Sequence, residues 1–243
     1  MIDKHLKLTA DGYMPYIFGF PSYTLFVTIG IIAGIIYYLA DAGKRNAKGE
    51  GVIEIVSAAL IFGVIGSKIP LILEGDDIRT VLFSKSIIGG LIGGMLGVMF
   101  IKRLLNIKLK MGNIIAPAAA LGIAIGRIGC FFNGCCYGKP TAWGVDFGDG
   151  ILRCPVQLFE VAFHFTAFII LHNLKSRVRI PGILFNYYVL AYFVFRFFIE
   201  YIRENPVVYA GMTVYQIICL SGGIFVLINL EIKYKKRGAF NGK

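Results

Sequence analysis

The chain has 243 residues, of which 57% are hydrophobic and only 16% are charged, and its mean hydropathy is +0.72. This composition excludes an ordinary soluble globular domain and predicts an integral membrane protein with several spans. The formal net charge of +11 does not indicate nucleic-acid binding, because the basic residues form short clusters between apolar segments. The N-terminal residues carry charges and lack an apolar core with a cleavage site, so no cleavable signal peptide is expected.

Seven apolar segments are long enough, or nearly so, to cross a bilayer as helices of roughly 20 residues. In chain order they cover about 16–40, 52–73, 87–104, 113–128, 156–174, 182–202 and 213–231. The sequence therefore predicts an all-α, polytopic membrane protein that forms one membrane-embedded domain over residues 1–243. A cysteine-rich loop over 129–155 follows the fourth segment.

Basic residues between these segments predict the orientation. The loops after the first, third and fifth segments, together with the C-terminal tail, carry about twice as many Lys and Arg residues as the alternate set. The positive-inside rule places the richer set in the cytoplasm, so the N-terminus is expected outside and the C-terminus in the cytoplasm. We therefore expect a multi-pass protein of the cell (plasma) membrane whose site faces the outer side.

An ionisable side chain costs about 2.5–3.5 kcal/mol at the centre of a span, so five of those within the apolar segments are candidates for a functional site. They are Lys68, Arg127, Glu160, Arg196 and Glu200. With the predicted orientation, each lies in the outer half of its segment. Chance would scatter such residues between both leaflets, so this placement indicates a functional site.

The sixth segment and the residue that follows it carry Tyr192, Arg196, Glu200 and Arg203 at i, i+4, i+8 and i+11, which predicts one shared helical face. One interpretation is a mutually satisfied ion pair of Arg196 with Glu200. The other is an anion site, because the planar guanidinium fork binds both oxygens of a phosphate or carboxylate. A phospholipid headgroup fits the second interpretation, since its tails stay in the bilayer.

The third segment begins GGLIGGMLG, which places Gly89, Gly93 and Gly97 on one stripe with Gly90 beside it. This pattern is typical of close helix packing through small residues. Such packing also lets backbone approach a ligand, so helix packing and substrate binding both stay open as interpretations.

Three cysteines fall in GRIGCFFNGCCYGKP, residues 126–140, and a fourth follows at Cys154. Cys130, Cys135, Cys136 and Cys154 could pack as small apolar side chains, form one or two disulfides, or take part in thiol chemistry. Metal binding is a fourth alternative, but C-x4-C-C is not the usual C-x2-C spacing, so no metal ligand is predicted. One turn after Glu160, His164 is either a proton relay or a hydrogen-bonded buried histidine.

The stretch GRIGCFFNGCCYG resembles the signature of prolipoprotein diacylglyceryl transferases, G-R-x-G-N-F-x-N-x-E-x-x-G. Four further blocks resemble family motifs in the same order along the chain: PSYTLFVTIGIIAG, PVQLFE, YFVFRFFIEYIRENP and MTVYQI. Seven spans with the N-terminus outside are also what this family implies.

The chain departs from the family pattern at several polar positions. Ile88 stands where the family carries a third-span histidine that is usually considered catalytic. Cys130 and Cys135 replace the Asn and Glu of the signature, and Cys154 replaces the histidine before P-x-Q. The arginines are thus retained while the acid–base groups are changed.

The resemblance implies transfer of diacylglyceryl from phosphatidylglycerol to the lipobox cysteine of a prolipoprotein, giving a thioether and glycerol 1-phosphate. It implies no cofactor, and the partners are the phospholipid, the prolipoprotein and the bilayer, without nucleic acid. The implied catalytic residues are Arg127, Arg196, Glu200 and Tyr23. The implied substrate-binding residues, besides Arg127, are Asn133, Gly138, Gly89, Gly90, Gln157, Glu160, Tyr192 and Arg203.

Two other functions stay open at this point. The chain could be a membrane enzyme that uses its own cysteines for redox or acyl-transfer chemistry. It could also be a phospholipid-binding membrane protein without catalytic activity.

Overall fold

The computed structural model describes residues 14–44, 51–75, 78–83, 85–108, 112–178 and 180–241. Within these ranges, seven helical spans are long and apolar enough to cross a membrane, which confirms a polytopic helical membrane protein. They are Ser22–Asp41, Val52–Glu74, Ile87–Leu104, Gly112–Phe132, Val156–Leu174, Ile183–Ile202 and Val214–Lys235. Several charged residues behind the predicted orientation lie outside the described ranges, namely Lys4, Lys7, Arg45, Lys48, Asp76, Asp77, Lys110, Arg179 and Lys243.

Nine α-helices and six short strands make up the described chain. The helices are α1 (Ser22–Lys44), α2 (Val52–Gly66), α3 (Ile69–Glu74), α4 (Ile78–Phe83), α5 (Ile87–Leu104), α6 (Gly112–Phe132), α7 (Val156–Leu174), α8 (Ile183–Ile199) and α9 (Val214–Asn241). The strands pair as three antiparallel hairpins: β1 (Tyr16–Ile17) with β2 (Phe20–Pro21), β3 (Pro140–Asp146) with β4 (Leu152–Arg153), and β5 (Val207–Tyr209) with β6 (Met212–Thr213).

The predicted segments 87–104 and 156–174 coincide with α5 and α7. The fourth helix, α6, extends beyond the predicted 113–128, so Cys130 lies on a helix and the cysteine-rich loop begins at Asn133. Pro117 is buried inside α6 without ending it. A proline removes one backbone donor but is tolerated in a span where neighbouring groups compensate.

The second span is two helices, with a break at Ser67 and Lys68. The Ser67 hydroxyl donates to the carbonyl of Val64 at 2.7 Å, and the Lys68 ammonium donates to the carbonyl of Leu82 at 2.7 Å. Pro70 occupies the first turn of α3, where no intrahelical donor is needed. The polar side chains at the break are therefore hydrogen-bonded, as polar groups inside a membrane need to be.

The chain divides into two compact units. Unit 1 contains the described residues of Met1–Asp41, Ile114–Arg177 and Tyr201–Glu204. Unit 2 contains those of Ala42–Asn113, Val178–Glu200 and Asn205–Lys243. A single domain over residues 1–243 remains a prediction.

In unit 1, α1 packs closely on α6. A Cβ added at Gly30 would lie 2.4 Å from the carbonyl oxygen of Gly122, so the helices approach backbone to backbone. At one end of the unit, the Met14 amide donates to the carbonyl of Phe132 at 3.0 Å. At the other end of α1 and α7, the Lys175 ammonium and the Asp41 carboxylate are 2.7 Å apart.

In unit 2, α2 packs on α5 through glycines. A Cβ at Gly89 would lie 2.2 Å from the carbonyl oxygen of Gly66, and one at Gly93 would lie 2.3 Å from that of Phe62. These distances confirm the packing interpretation of GGLIGGMLG.

Candidate functional site

The end of α6 carries a buried cation. Arg127 is 7% exposed, and its Nε forms an ion pair with the carboxylate of Glu160, which is fully buried near the start of α7. A second guanidinium reaches the same group, because Arg203 Nη1 lies 4.0 Å from Glu160 Oε1. A carboxylate carries one negative charge, so Glu160 can neutralise only half of the positive charge that it faces.

Arg203 reaches this cluster from a segment that is not α-helical. The helix α8 ends at Ile199, and a 3-10 turn covers Glu200–Ile202. Arg203 then forms an isolated antiparallel β-bridge with Gly138. The predicted helical face is therefore right for Tyr192, Arg196 and Glu200 but wrong for Arg203, because the tighter turn changes the direction of the chain.

Gly138 holds this bridge by its small size. Its amide donates to the carbonyl of Cys154 at 2.8 Å, and a Cβ there would lie 2.5 Å from the carbonyl oxygen of Ile202. The residue predicted to bind substrate thus has a packing role, and substrate contact stays a prediction.

The loop after α6 folds back on the helix end. Gly134 and Cys136 both have positive φ, at 63° and 64°, which is the left-handed conformation that side chains rarely adopt. The Cys135 amide donates to the carbonyl of Cys130 at 3.1 Å, which closes the turn. Strain at a residue other than glycine persists only where surrounding contacts enforce it.

Two side chains supply those contacts, the fully buried Gln157 and the half-buried Arg203. Gln157 Nε2 donates to the carbonyl of Cys135 at 2.7 Å, and Arg203 Nη1 donates to the carbonyl of Cys136 at 3.1 Å. Gln157 was predicted to bind substrate, and the structure shows that it holds the loop. Both cysteine carbonyls are thereby fixed from outside the loop.

This turn brings three thiols together. The Sγ atoms of Cys130, Cys135 and Cys136 all lie within 4.8 Å of one another, and Arg127 Nη1 lies 3.6 Å from Cys130 Sγ. All five cysteines are in the described ranges and each is a free thiol. Cys154 is buried and lies outside this group of three, and its participation in thiol chemistry stays a prediction.

The pKa values of the two loop thiols, Cys135 and Cys136, are shifted in opposite directions. Hydrogen bonds from the Cys130 and Cys135 thiols, with the guanidiniums of Arg127 and Arg203 nearby, hold the pKa of Cys136 well below its ordinary range. The same neighbouring thiols, together with burial, raise the pKa of Cys135. Of these two thiols, Cys136 therefore loses its proton at the lower pH.

The hairpin of β3 and β4 covers the loop. Arg153 on β4 pairs with Asp149 and with Glu204, both at 2.9 Å, and its guanidinium lies 4.6 Å from the ring centre of Tyr137. Hydrogen bonding from Arg153 lowers the pKa of Asp149. These contacts connect the hairpin to the loop and to the segment after α8.

Three other predicted residues of unit 1 lie near the cluster or at its edge. Tyr23, in the first turn of α1, lies within electrostatic range of Arg127 and of the three thiols. His164 is fully buried on α7, with its ring edge-on to Phe163. Asn133 is half-buried directly after α6, where its amide donates to the carbonyl of Gly129 at 2.9 Å.

Unit 2 contains a second buried ion pair. Arg196 Nη1 pairs with the carboxylate of Glu200 one turn later, which confirms the predicted pairing. Glu200 Oε1 also accepts from Asn205 Nδ2 at 2.5 Å and from the Thr213 hydroxyl at 3.0 Å. The Arg196 guanidinium lies 4.9 Å from the ring centre of Tyr215. One cation, one carboxylate and two neutral donors form this cluster.

The remaining residues of unit 2 that were predicted to bind substrate make packing contacts. Tyr192 is fully buried on α8 and stacks on Phe195. Gly89 packs on α2 as described above, and a Cβ at Gly90 would lie 3.5 Å from the carbonyl oxygen of Gly63. Substrate contact by Gly89, Gly90 or Tyr192 stays a prediction.

Sequence reasoning missed Asn205, Thr213 and Gln216 as members of the second cluster. Gln216 Oε1 accepts from the Thr213 amide at 3.1 Å, which fixes the residue that bonds to Glu200. All three lie in or beside the motif blocks YFVFRFFIEYIRENP and MTVYQI. Membership in these blocks could have identified the three residues. They were missed because polar residues directly after a span are usual in any loop.

Comparisons with known proteins agree with these motifs. The family model for prolipoprotein diacylglyceryl transferase matches residues 15–231. A phosphatidylglycerol–prolipoprotein diacylglyceryl transferase of Finegoldia magna is 32% identical over 230 residues, which cover 88% of this chain and 91% of the relative. Proteins of the same name from Clostridium tetani and Nitratidesulfovibrio vulgaris are 30% and 35% identical, over 76% and 74% of this chain and 81% and 76% of those relatives.

Proposed function

Because the chain belongs to the prolipoprotein diacylglyceryl transferase family, we propose that it transfers diacylglyceryl from phosphatidylglycerol to a prolipoprotein cysteine. The names of the relatives supply both substrates, and the seven spans supply the membrane setting that a phospholipid donor needs. The observation that carries the proposal is the pair of guanidiniums, Arg127 and Arg203, on the single buried carboxylate of Glu160.

The reaction joins sulfur to carbon. The acceptor thiol releases its proton to the surrounding water, and its sulfur attacks the glyceryl carbon that bears the phosphate. The carbon–oxygen bond breaks, the electron pair leaves with glycerol 1-phosphate, and a thioether remains. Negative charge thus grows on the departing phosphate, and oriented cations lower the energy of that state.

Arg127 is the proposed phosphate ligand in unit 1. Its guanidinium is buried and already oriented by Glu160, so little reorganisation is needed when charge develops. Arg203 supports the same field, while its bond to the Cys136 carbonyl fixes the loop. Tyr23 is proposed to position the headgroup.

Arg196 and Glu200 are proposed catalytic residues on the strength of the motif block that contains them. Inside unit 2, Glu200 orients Arg196, and Asn205 and Thr213 in turn orient Glu200. The Arg196 fork is thereby held in one direction, as bidentate phosphate binding requires.

The membrane in question is proposed to be the plasma membrane, with the acceptor reaching the protein from the outer side. The ends of unit 1 support an alternation of loops. Met14 contacts Phe132 at the end that carries the cysteines, whereas Asp41 and Lys175 meet at the opposite end. Accessibility of a single introduced cysteine in each loop to a membrane-impermeant reagent tests which end faces outside.

A transfer assay tests the function. The full chain, purified in detergent, is mixed with phosphatidylglycerol and a lipobox peptide, and the diacylglyceryl-modified peptide is measured by mass spectrometry. The same peptide with serine for cysteine is the control and should gain no mass. Binding of phosphatidylglycerol without any modified peptide would instead indicate a phospholipid-binding protein without catalytic activity.

A further inference from the structure

We propose that Cys130, Cys135 and Cys136 form a three-thiolate binding site for a zinc ion, independent of the transferase activity. Their Sγ atoms lie within 4.8 Å of one another. Zinc bound at 2.3 Å to tetrahedrally placed thiolates needs sulfurs roughly 3.8 Å apart. Side-chain shifts of at most about 1 Å would therefore close the site.

The loop is built to hold the three sulfurs on one side. The spacing C-x4-C-C predicts no metal site, because two adjacent cysteines in extended chain point in opposite directions. The left-handed conformation of Cys136, at φ 64°, changes that direction. Gln157 and Arg203 fix the carbonyls of Cys135 and Cys136, and the Cys135 amide closes the turn on Cys130.

The surroundings of the sulfurs resemble those of a metal-bound thiolate. Arg127 Nη1 lies 3.6 Å from Cys130 Sγ, and groups that donate to ligand atoms commonly orient a metal's ligands. Cys130 is buried, whereas Cys135 and Cys136 are half-buried, so the group opens toward the loop surface. An ion can enter from that side, and a water molecule can complete four-coordination.

Charge favours zinc over copper(I), which prefers the same soft ligands. Zn²⁺ with three thiolates carries one negative charge, and Cu⁺ with three thiolates carries two. Buried charge is costly unless it is compensated, so the zinc form is preferred.

Metal analysis of the full chain tests the proposal. The protein is expressed without a polyhistidine tag, purified in detergent without chelator, and given equimolar Zn²⁺ or Cu⁺ before desalting. We expect about one zinc ion per chain. In Cys135→Ser and in Cys136→Ser, retained zinc should fall at least about tenfold. The matched controls Cys154→Ser and Cys219→Ser remove thiols outside the group and should retain zinc like the wild type.

Two further measurements keep the test independent of folding and of activity. Co²⁺ added to wild-type protein should give sulfur-to-metal charge-transfer absorption, and Zn²⁺ should abolish it. Zn²⁺ should also protect three of the five cysteines from alkylation, as read by intact mass. Less than about one-tenth equivalent of zinc, preference for copper(I), or a disulfide within the group would overturn the proposal. Transfer activity does not enter any of these readouts, so failure of the zinc site and failure of the proposed function are distinguishable.

Discussion

The two units differ in how they balance a buried arginine. In unit 1, two guanidiniums face one carboxylate, since Arg127 and Arg203 both reach Glu160. In unit 2, one guanidinium faces one carboxylate, and the second oxygen of Glu200 accepts from the neutral donors Asn205 and Thr213. In the second arrangement each charge has one charged partner, whereas in the first two cations share one carboxylate.

This difference separates two roles for buried charge. A balanced pair with neutral donors fixes the direction of a side chain, because each partner has a defined bond. A carboxylate shared by two cations leaves positive charge in a region from which water is largely excluded, where it acts strongly on a ligand. Unit 1 therefore offers electrostatic binding, and unit 2 offers orientation.

The largest expected effect comes from removing the shared carboxylate. Glu160→Gln keeps the shape of the side chain but leaves two guanidiniums without its charge, and breaking a buried pair costs about 3–5 kcal/mol. Glu200→Gln leaves one guanidinium and should lower the unfolding temperature less. Thermal unfolding in detergent measures both. Equal losses would show that the charge difference between the units has no energetic consequence.

Loss of Arg127 should affect transfer nearly as much. Arg127→Ala removes a group that stabilises developing charge, and such losses reduce turnover by about 100- to 1,000-fold. Single-turnover transfer to the lipobox peptide measures the change. Lys139→Ala, which removes an exposed basic residue that donates to the carbonyl of Tyr201, is the control. An Arg127→Ala protein with wild-type turnover would exclude Arg127 as the phosphate ligand.

Removing a neutral hydrogen-bond donor of unit 2 should have a smaller effect than removing the charge of Glu160 or of Arg127. Asn205→Ala removes a bond to Glu200, and hydrogen bonds to charged groups contribute about 1.5–3 kcal/mol. We expect a lower unfolding temperature and a smaller loss of turnover than for Arg127→Ala. Asn205→Asp, which places a second carboxylate beside Glu200, should be worse than Asn205→Ala. The reverse order would mean that Glu200 does not need neutral donors.

Helix packing in unit 2 gives a matched pair of variants. Gly89→Ala places a Cβ 2.2 Å from the Gly66 carbonyl oxygen, whereas Gly90→Ala meets nothing closer than 3.5 Å. Overpacking of this kind costs about 1–3 kcal/mol, so only Gly89→Ala should lower the unfolding temperature. Full stability with lost turnover in Gly90→Ala would instead support substrate contact at Gly90.

The smallest expected effect is a change in the β3–β4 hairpin at acidic pH. The pKa of Asp149 is lowered by Arg153, so its contribution to hairpin order is present above the unfolded-state pKa, about 3.9, and is lost as pH falls through the lower folded value. Trp143 on β3 is the single tryptophan, so its fluorescence reports this hairpin. We expect a change below about pH 4 that Asp149→Asn removes. An unchanged profile in Asp149→Asn would assign the transition to another group.

The spans and the buried ion pairs could be predicted from hydropathy and from the energetic cost of burying charge. Seven apolar segments became seven spans because length and composition decide insertion. Arg127, Glu160, Arg196 and Glu200 are all buried, as ionisable residues in spans should be if they have partners. Local spacing also identified the pair of Arg196 and Glu200, since i and i+4 side chains meet on any α-helix.

Contacts that depend on irregular backbone could not be predicted. Arg203 leaves the helical face because the chain tightens into a 3-10 turn at Glu200, and periodicity assumes a regular helix. The three thiols meet because Cys136 adopts positive φ, a conformation that its residue type disfavours. Contacts from the distant residues Gln157 and Arg203 hold the loop in that conformation.

The bridge between Gly138 and Arg203 has a consequence for the order of assembly during synthesis. The Arg127–Glu160 pair needs only α6 and α7, so it can form while the ribosome is still translating the sixth span. Arg203 joins after α8 has been made, and until then the carbonyl of Cys136 lacks the donor that fixes it. We therefore expect the cysteine loop to mature late, and a nascent chain arrested before Ile202 to expose its loop thiols to alkylation.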